Sequence, residues 1–209
     1  MIRKYEQRDR EAVRWLCCET GYLGKPIDPV FEDRELFADY LTSYYTDAEP
    51  ESSFVVEQGG EVKGYLLGSR FPEKQRQFDR WLVLRLAIKG IWRYRGYGDA
   101  TKAYVKWILR DARKEVPVTP KDMPHFHFNL LPEVQSIAGT RALINANFDY
   151  LSEAGEDAVF GQVVTFSDRR GAAVFKRYGF EVVERREVTK YRKVHPEPVF
   201  LTTIVKQLA

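Results

Sequence analysis

The residues best suited to chemistry lie between His125 and Leu143, where a β-like run leads into a loop of small residues and then into a helix. Backbone N–H groups at a helix N-terminus lack intrahelical partners and carry the positive end of the dipole. They therefore suit an anion such as a pyrophosphate. Small side chains would let the phosphates approach this backbone, and they stand at Ser136, Ala138, Gly139 and Thr140. By itself this pattern is weak, because many helices begin with small residues.

Two histidines precede this loop and alternate with phenylalanines. His125 and His127 therefore share one face of the predicted strand, and Asn129 lies on the same face. An imidazole with an unperturbed pKa of about 6.5 suits a general base, which is one interpretation of His127. Asn129 would then contact substrate or cofactor. The alternative is that both histidines only form hydrogen bonds within the sheet or with the preceding segment.

The elements that must position these residues follow from periodicity and turn signals. Asp9 is placed to cap the first helix, Gly59-Gly60 indicates a hairpin turn, and Gly179 suits a left-handed helix end. The predicted strands are 2–5, 53–57, 62–68, 126–131, 159–166, 180–194 and 198–205. The predicted helices are one after Asp9, then 32–45, 73–88, 98–114, 135–151 and 170–178, with Gly90 and the turn 96–98 separating the third from the fourth.

The segment 71–124, called here the insertion, carries more basic than acidic residues together with many aromatic ones. Such a surface could recognise an acidic substrate, a nucleic acid or an acidic partner. The alternative is a solvated face whose aromatic side packs on the core or lines a cleft.

Two motifs in this order resemble those of the GCN5-related N-acetyltransferase (GNAT) superfamily. The pyrophosphate loop of that family, Gln/Arg-x-x-Gly-x-Gly/Ala, corresponds to Gln135–Thr140, and its later pattern ending in Gly-Phe corresponds to 168–180. The run from His125 to Gln135 resembles a bacterial subgroup similar to the acetyltransferase-like domain of some O-GlcNAc hydrolases. The resemblance implies an α+β (α/β) fold in one domain, 1–209. A mixed central sheet of about seven strands is flanked by helices, with a helical insertion between strands 3 and 4.

The resemblance also implies how a co-substrate would bind. Acetyl-CoA would lie in a V-shaped gap between the strands 126–131 and 159–166. Its pantetheine would pair with the backbone around Leu130 and Leu131, and its pyrophosphate would sit on the loop. The implied cofactor-binding residues are Leu130, Leu131, Gln135, Ser136, Ile137, Ala138, Gly139, Thr140, Asp168 and Phe175. An amine acceptor of unknown identity would attack the thioester directly, and no metal is implied.

The sequence departs from the family pattern at several of these positions. Ala138 stands where the first glycine of the motif is expected, Thr140 stands where its second Gly/Ala is expected, and Asp168 replaces an asparagine. Phe175 occupies the position of a tyrosine that often protonates the leaving thiolate, and Tyr178, three residues later, is the substitute. These departures leave an alternative open: a catalytically impaired module that binds CoA or a partner.

A second segment, Arg93–Gly98, fits Arg-x-x-Gly-x-Gly more literally than the loop does. If it were the cofactor loop, a strand–helix–strand unit at the end of the chain would have no counterpart in the family. We therefore interpret 93–98 as a turn between two basic helices.

Composition and charge limit the partners and cellular locations that remain open for the protein. The chain of 209 residues has 33 basic and 30 acidic residues, a balance that does not demand a nucleic-acid partner, although nucleic-acid association through the insertion stays a third alternative. Its first residues are too charged for a signal peptide, and no run is apolar enough to span a membrane. Cys17 and Cys18 are adjacent and expected to be reduced, which favours the cytoplasm. A homodimer stays open.

Overall fold

A single seven-stranded sheet organises the molecule. The computed structural model describes residues 1–166 and 175–208. The strands are β1 (Ile2–Lys4), β2 (Phe54–Gln58), β3 (Glu61–Ser69), β4 (His125–Leu130), β5 (Ala158–Phe166), β6 (Glu181–Glu187) and β7 (Val199–Gln207). Their order in the sheet is β1-β2-β3-β4-β5-β7-β6. Only β4 and β5 are parallel neighbours, so the sheet is mixed, as predicted.

The helices cover both faces of this sheet. They are α1 (Arg10–Thr20), α2 (Arg34–Ser43), α3 (Pro72–Arg93), α4 (Asp99–Arg110), the short α5 (Ala112–Glu115) and α6 (Ile137–Glu153). One cluster of buried side chains joins α1, α2 and the insertion to one face, around Tyr65 and Leu67. A second cluster joins α6 to the opposite face, around Leu66 and Phe126. Leu66 and its two neighbours thus point to alternate faces, as strand geometry requires.

Two turns form where the sequence predicted them. Gly59 and Gly60 connect β2 to β3 with φ values of +63° and +83°. Positive φ at both central residues is the requirement of a tight hairpin turn, which glycine meets without strain. Gly179 also has a positive φ, +76°. The helix predicted to precede it, 170–178, lies mostly outside the described residues, which include only 175–177 of it in helical form.

The insertion differs from the prediction at Gly90. Helix α3 runs through Gly90 and ends at Arg93, so it is longer than the predicted 73–88. A glycine in a helix interior costs only about 1 kcal/mol relative to alanine. Packing of α3 on α2 offsets that cost. A Cβ atom at Gly90 would lie 4.0 Å from Leu36 of α2. The helix predicted at 98–114 is divided into α4 and α5.

Two further expectations were wrong. Asp9 does not cap α1 with its side chain. Its carboxylate accepts hydrogen bonds from the Glu6 backbone N–H at 2.9 Å and from two nitrogens of Arg3. The strand predicted at 180–194 ends at Glu187, and Thr189–Tyr191 form a 3₁₀ turn. This turn is held by Glu115, which accepts from the backbone N–H and hydroxyl of Thr189, both at 2.7 Å.

Part of the positive charge of the insertion is neutralised within the fold. Lys89 and Arg93 form ion pairs with carboxylates of α2 and its N-cap, and Arg76 pairs with Asp122. No helix of the described ranges 1–166 and 175–208 is both long and apolar enough to cross a membrane.

Candidate active site

The central feature of the sheet is a gap between β4 and β5. The two strands are paired only at His125–Phe160 and Phe126–Gly161, near the start of each strand. The other edge of β4 is paired with β3 over six residues, and the other edge of β5 with β7 over nine. Two strands held firmly on their outer edges therefore diverge after Phe126, and this is the V-shaped gap that the resemblance implies.

Backbone alternation shows which groups of β4 face this gap. The N–H of Leu131 donates to the Lys63 carbonyl at 3.0 Å and so points towards β3. Adjacent residues of a strand point their N–H and C=O groups to opposite edges. The backbone groups of Leu130 and Phe128 therefore face the gap. Leu130 suits the pantetheine contact assigned to it, whereas the N–H of Leu131 is already used by β3.

The predicted pyrophosphate loop follows β4 directly. Residues 132–134 form one 3₁₀ turn, and Ser136 is the N-cap of α6. The Ser136 hydroxyl accepts from the Gly139 N–H at 3.0 Å, and the Thr140 N–H donates to the Ser136 carbonyl at 2.9 Å. The exposed N–H groups left for an anion are therefore those of Ile137 and Ala138, in the first turn of the helix.

Two residues of this loop have structural tasks that the sequence did not reveal. A Cβ at Gly139 would lie 2.8 Å from the Ser136 hydroxyl oxygen, so glycine here preserves the cap. The side chain of Gln135 donates to the gap-facing carbonyl of Leu130 at 3.1 Å. The Leu130 carbonyl, which an amide of pantetheine would contact, is therefore already hydrogen-bonded to Gln135.

The histidines lie on the face of β4 opposite α6. Tyr45 joins them: its hydroxyl is 2.8 Å from His125 Nε2, and its ring packs edge-on against His127 at 4.9 Å. Asn129 donates to the Tyr65 hydroxyl at 2.7 Å. His127 Nε2 is buried without a hydrogen-bond partner among the described residues. The three side chains share one face, as predicted, but Asn129 is held by the core.

Burial changes the acid–base properties of both histidines. It lowers the pKa of His125 to about 4 and, with His125 nearby, that of His127 to about 3. Both imidazoles are therefore neutral at pH 7 and are weak bases. The premise of an unperturbed imidazole was wrong, and the general-base role of His127 stays a prediction that the geometry does not favour.

A carboxyl group that the sequence analysis did not single out faces the same region. Asp79 lies one helical turn after Gln75 on α3, and the Gln75 amide donates to the Tyr45 hydroxyl at 3.2 Å. Burial raises the pKa of Asp79 to about 6, and no ion pair with it occurs among the described residues. Its negative charge contributes to raising the pKa of the Tyr45 and Tyr40 phenols. The only signal in the sequence was an acid at the inner spacing of a helix.

Tyr40, Tyr104 and Lys190 lie in the same region as Asp79, and this region is called here the cleft. Tyr40 exposes 58% of its surface, yet burial by the surrounding protein raises its pKa, with Asp79 next in effect. The Lys190 ammonium lies about 5 Å from the rings of Tyr104, Trp107 and Tyr191. The cleft therefore brings together aromatic side chains, a cation and a carboxyl group.

The remaining predicted residues lie on the other side of the gap. Phe175 packs against the cluster that contains Phe126, Leu130 and Phe180. Tyr178 is partly exposed, and its carbonyl accepts from Lys206 at 3.2 Å. Asp168 lies outside the described residues. No group of side chains in 1–166 and 175–208 is arranged to hold a metal ion.

The alternative motif, Arg93–Gly98, is in the wrong place for a cofactor loop. It forms the end of α3 and the turn to α4, so no strand leads into it. The Gly98 N–H donates to Glu32 at 2.9 Å. The structure therefore agrees with the interpretation of this segment as a turn between helices.

Solved structures share this architecture over the whole chain. SsHAT matches with 26% identity and a TM-score of 0.66, covering 100% of this chain and 98% of that one. A structure described as an acetyltransferase matches with 18% identity and a TM-score of 0.59, with both chains fully covered. The third, a putative acetyltransferase from Salmonella typhimurium called yncA, was solved with its cofactor acetyl-CoA. It shows 15% identity and a TM-score of 0.54, covering 100% of this chain and 94% of that one.

No protein-family model matches the chain, and no curated protein matches it. The fold and the diverging strands match the architecture of the solved acetyltransferases, and the motif at Gln135–Thr140 lies beside the gap between β4 and β5. The chain has the fold of the GCN5-related N-acetyltransferases, as the resemblance implies. The narrower resemblance to the acetyltransferase-like domain of O-GlcNAc hydrolases stays a prediction.

Proposed function

We propose that the protein is an acetyl-CoA-dependent N-acetyltransferase that transfers an acetyl group to an amine acceptor by direct attack. The observation that carries this proposal is the gap between β4 and β5. Unpaired N–H and C=O groups inside a sheet are costly unless a partner satisfies them. The amides of a pantetheine arm supply such partners, and the α6 N-terminus lies where the arm would end in its pyrophosphate.

In this proposal the thioester lies at the gap-facing edge of β4, and the acceptor approaches from the face that carries the histidines. The gap-facing N–H groups of Phe128 and Leu130 can stabilise the oxyanion that forms on the thioester carbonyl. The acceptor nitrogen would attack the carbonyl carbon from the cleft side. A C–N bond forms, the C–S bond breaks, and CoA leaves as a thiolate that takes a proton from water. The proton of the attacking nitrogen passes to a base.

We propose Asp79 as the base. Its pKa of about 6 keeps it ionised at neutral pH while holding it near the range in which a carboxylate accepts a proton effectively. Its negative charge also attracts a protonated amine into an aromatic-lined cleft. His127 stays the second candidate for this role, and Asn129 for a positioning role.

The absence of a hydroxyl at Phe175 supports a second candidate function. Phe175 lies in an apolar cluster and has no proton to give to the thiolate. If neither water nor Tyr178 replaces it, the protein binds CoA without turnover. Association with nucleic acid through the insertion stays the third alternative.

Acetyl-CoA binding is tested by thermal melts and calorimetric titration, with CoA and ATP as comparison ligands. Ligand at about a hundred times its dissociation constant should stabilise the fold by about 2.7 kcal/mol, a shift of several degrees for a chain of this size. Stabilisation by both CoA compounds but not by ATP supports the proposal. Thiol release with a panel of amines then separates catalysis from binding alone.

A matched pair of variants tests the pyrophosphate site. Ala138→Asp adds a carboxylate at the exposed first turn of α6, where it benefits the helix but repels phosphate. Asn145→Asp adds the same charge two turns later on the same helix face. We expect at least a tenfold loss of acetyl-CoA affinity for the first variant and little change for the second. Equal affinities in both would contradict the assigned site.

Location and assembly belong to the same proposal. Cys17 and Cys18 are free and buried, which supports a reducing, cytoplasmic setting. A homodimer stays open.

A further inference from the structure

The outer face of α3 carries a row of exposed apolar side chains. Trp81, Leu84, Ile88 and Trp92 recur every three or four residues and so lie along one side of the helix, with Ile91 beside them. Trp81 and Ile91 each expose 73% of their surface, and Trp92 exposes 84%. The row extends over about 16 Å of the helix axis. The inner face of the same helix packs on the core through Phe78 and Leu86, and Leu82 is buried, so α3 is apolar on two sides.

The flanks of this row carry positive charge. Arg80 and Arg85 are exposed and border the row on its two sides. In the described chain they take no part in ion pairs of the kind that hold Lys89 and Arg93 against α2. The only acidic residues of α3 are Glu73, near its start, and Asp79, on its inner face. The surface from 80 to 92 is therefore apolar along its centre and cationic at its borders.

This combination selects one kind of occupant. Tryptophan and aliphatic side chains enter the boundary between lipid headgroups and acyl chains, while bordering arginines pair with anionic headgroups. A second copy of the chain would bring the same cations to face one another across the row. A nucleic acid would match the arginines but would leave the row of Trp, Leu and Ile side chains without an apolar partner.

We propose that the outer face of α3 docks on an anionic lipid bilayer. The helix lies along the surface of the bilayer without crossing it, and the remainder of the fold stays in water. The proposal is independent of acetyl transfer, because none of the residues of the row lines the gap or the cleft.

The test is co-sedimentation of the full chain with vesicles, supported by tryptophan fluorescence. One set of vesicles contains phosphatidylcholine alone and the other contains phosphatidylcholine with phosphatidylglycerol. We expect binding to the second set only, with a blue shift in emission, and weaker binding as salt is raised. Binding to neither set, or equally to both, overturns the proposal.

Three variants locate the surface. Trp81→Gln with Trp92→Gln should lower partitioning at least tenfold, because each indole carries about 150–250 Å² of surface. Arg80→Gln with Arg85→Gln should lower it roughly fivefold for each charge removed. Trp15→Gln, an exposed tryptophan on α1, is the control and should bind like the unaltered protein. If the control and the double tryptophan variant bind equally, the proposal fails.

Light scattering on the same proteins without vesicles addresses the alternative occupant. A monomer at the concentrations of the vesicle assay supports the proposal. A dimer that the double tryptophan variant abolishes would mean that the row is an interface between copies, which overturns it. Circular dichroism melts confirm that the variants are folded, as expected for exposed positions.

Discussion

The acid–base character of the cleft is set by burial at single residues. His125 and His127 are forced towards the neutral form because burial penalises their charged form, and Asp79 is penalised in the same way. The sequence shows which residue types are present but not how deeply each side chain is buried. It therefore indicated a histidine base, whereas the carboxyl group on α3 has the more suitable pKa.

We predict that Asp79→Asn stabilises the protein while it impairs catalysis. The folded-state pKa of Asp79, about 6, lies above its ordinary value, so the ionised group opposes folding at neutral pH. Removing the charge should raise the free energy of unfolding by about 1–2 kcal/mol at pH 8, after allowance for partial exposure. The gain should shrink between pH 6 and pH 4, where Asp79 becomes protonated. Urea unfolding at several pH values measures it.

The control for this variant is Glu73→Gln, an exposed carboxylate on the same helix. Its stability should change by less than about 0.5 kcal/mol. With an acceptor in hand, kcat of the Asp79 variant should fall and lose its dependence on a group with a pKa near 6. An unchanged pH profile would exclude Asp79 as the base.

A second prediction concerns acid stability and the buried histidines. Their folded-state pKa values, about 4 and about 3, lie below the ordinary value of 6.5, so the unfolded chain binds more protons. Above pH 6.5 the histidines therefore do not reduce the free energy of unfolding. As pH decreases towards 4, this free energy falls by up to about 1.4 kcal/mol per pH unit for each histidine.

His127→Leu should reduce this loss. Leucine avoids the unsatisfied Nε2 atom and can fill the space between the rings of Tyr45 and Tyr65. We expect a shallower decline in unfolding free energy between pH 6.5 and pH 4.5 than in the unaltered protein. His195→Leu, a variant of a histidine in an exposed turn, is the comparison. Identical declines for the two variants would refute this account.

At the scale of elements, one buried carboxylate attaches the insertion to the sheet. Glu49 is fully buried and accepts hydrogen bonds from the hydroxyls of Tyr44, Ser52 and Ser69, at 2.5, 2.6 and 3.2 Å. It also accepts from the Arg70 backbone N–H at 2.5 Å, at the point where β3 ends and the insertion begins. Glu49 thus joins the segment after α2 to the start of α3.

We predict that Glu49→Ala destabilises the protein by about 3–5 kcal/mol, because several buried donors lose their acceptor together. Glu51→Ala, an exposed carboxylate two residues away, should cost less than about 0.5 kcal/mol. Denaturant melts of both variants measure the difference. A loss below about 1 kcal/mol for Glu49→Ala would show that water replaces the carboxylate.

Elements with local determinants were predictable and those with distant ones were not. The hairpin at Gly59-Gly60 and the turn at Gly179 depend on φ values that glycine alone adopts easily, so composition indicates them. The passage of α3 through Gly90 depends on packing against α2. The early end of β6 depends on Glu115, some seventy residues away in the chain. No periodicity within either segment carries that information.

At the scale of the whole molecule, the fold class and the gap between β4 and β5 followed from the resemblance carried by the motif order, but the cleft around Asp79 did not. The loop at 135–140 is contiguous, so the chain itself places it after β4. The cleft is assembled from α2, α3, β4 and the turn 189–191, which are remote in sequence. Its shape depends on how the insertion packs, and Asp79 could not be distinguished from any other helical carboxylate.

The gap also divides the sheet into two halves, one made of β1–β4 and the other of β5–β7. Only two residue pairs of β4 and β5 join these halves. A ligand that pairs with the facing edges of β4 and β5 should therefore couple the halves. We predict that acetyl-CoA slows hydrogen exchange at the gap-facing amides of Phe128 and Leu130. It should have little effect on the amide of His127, which already faces β3. Exchange measured by NMR with and without ligand separates these neighbours, and equal protection of all three would indicate general stabilisation instead of binding in the gap.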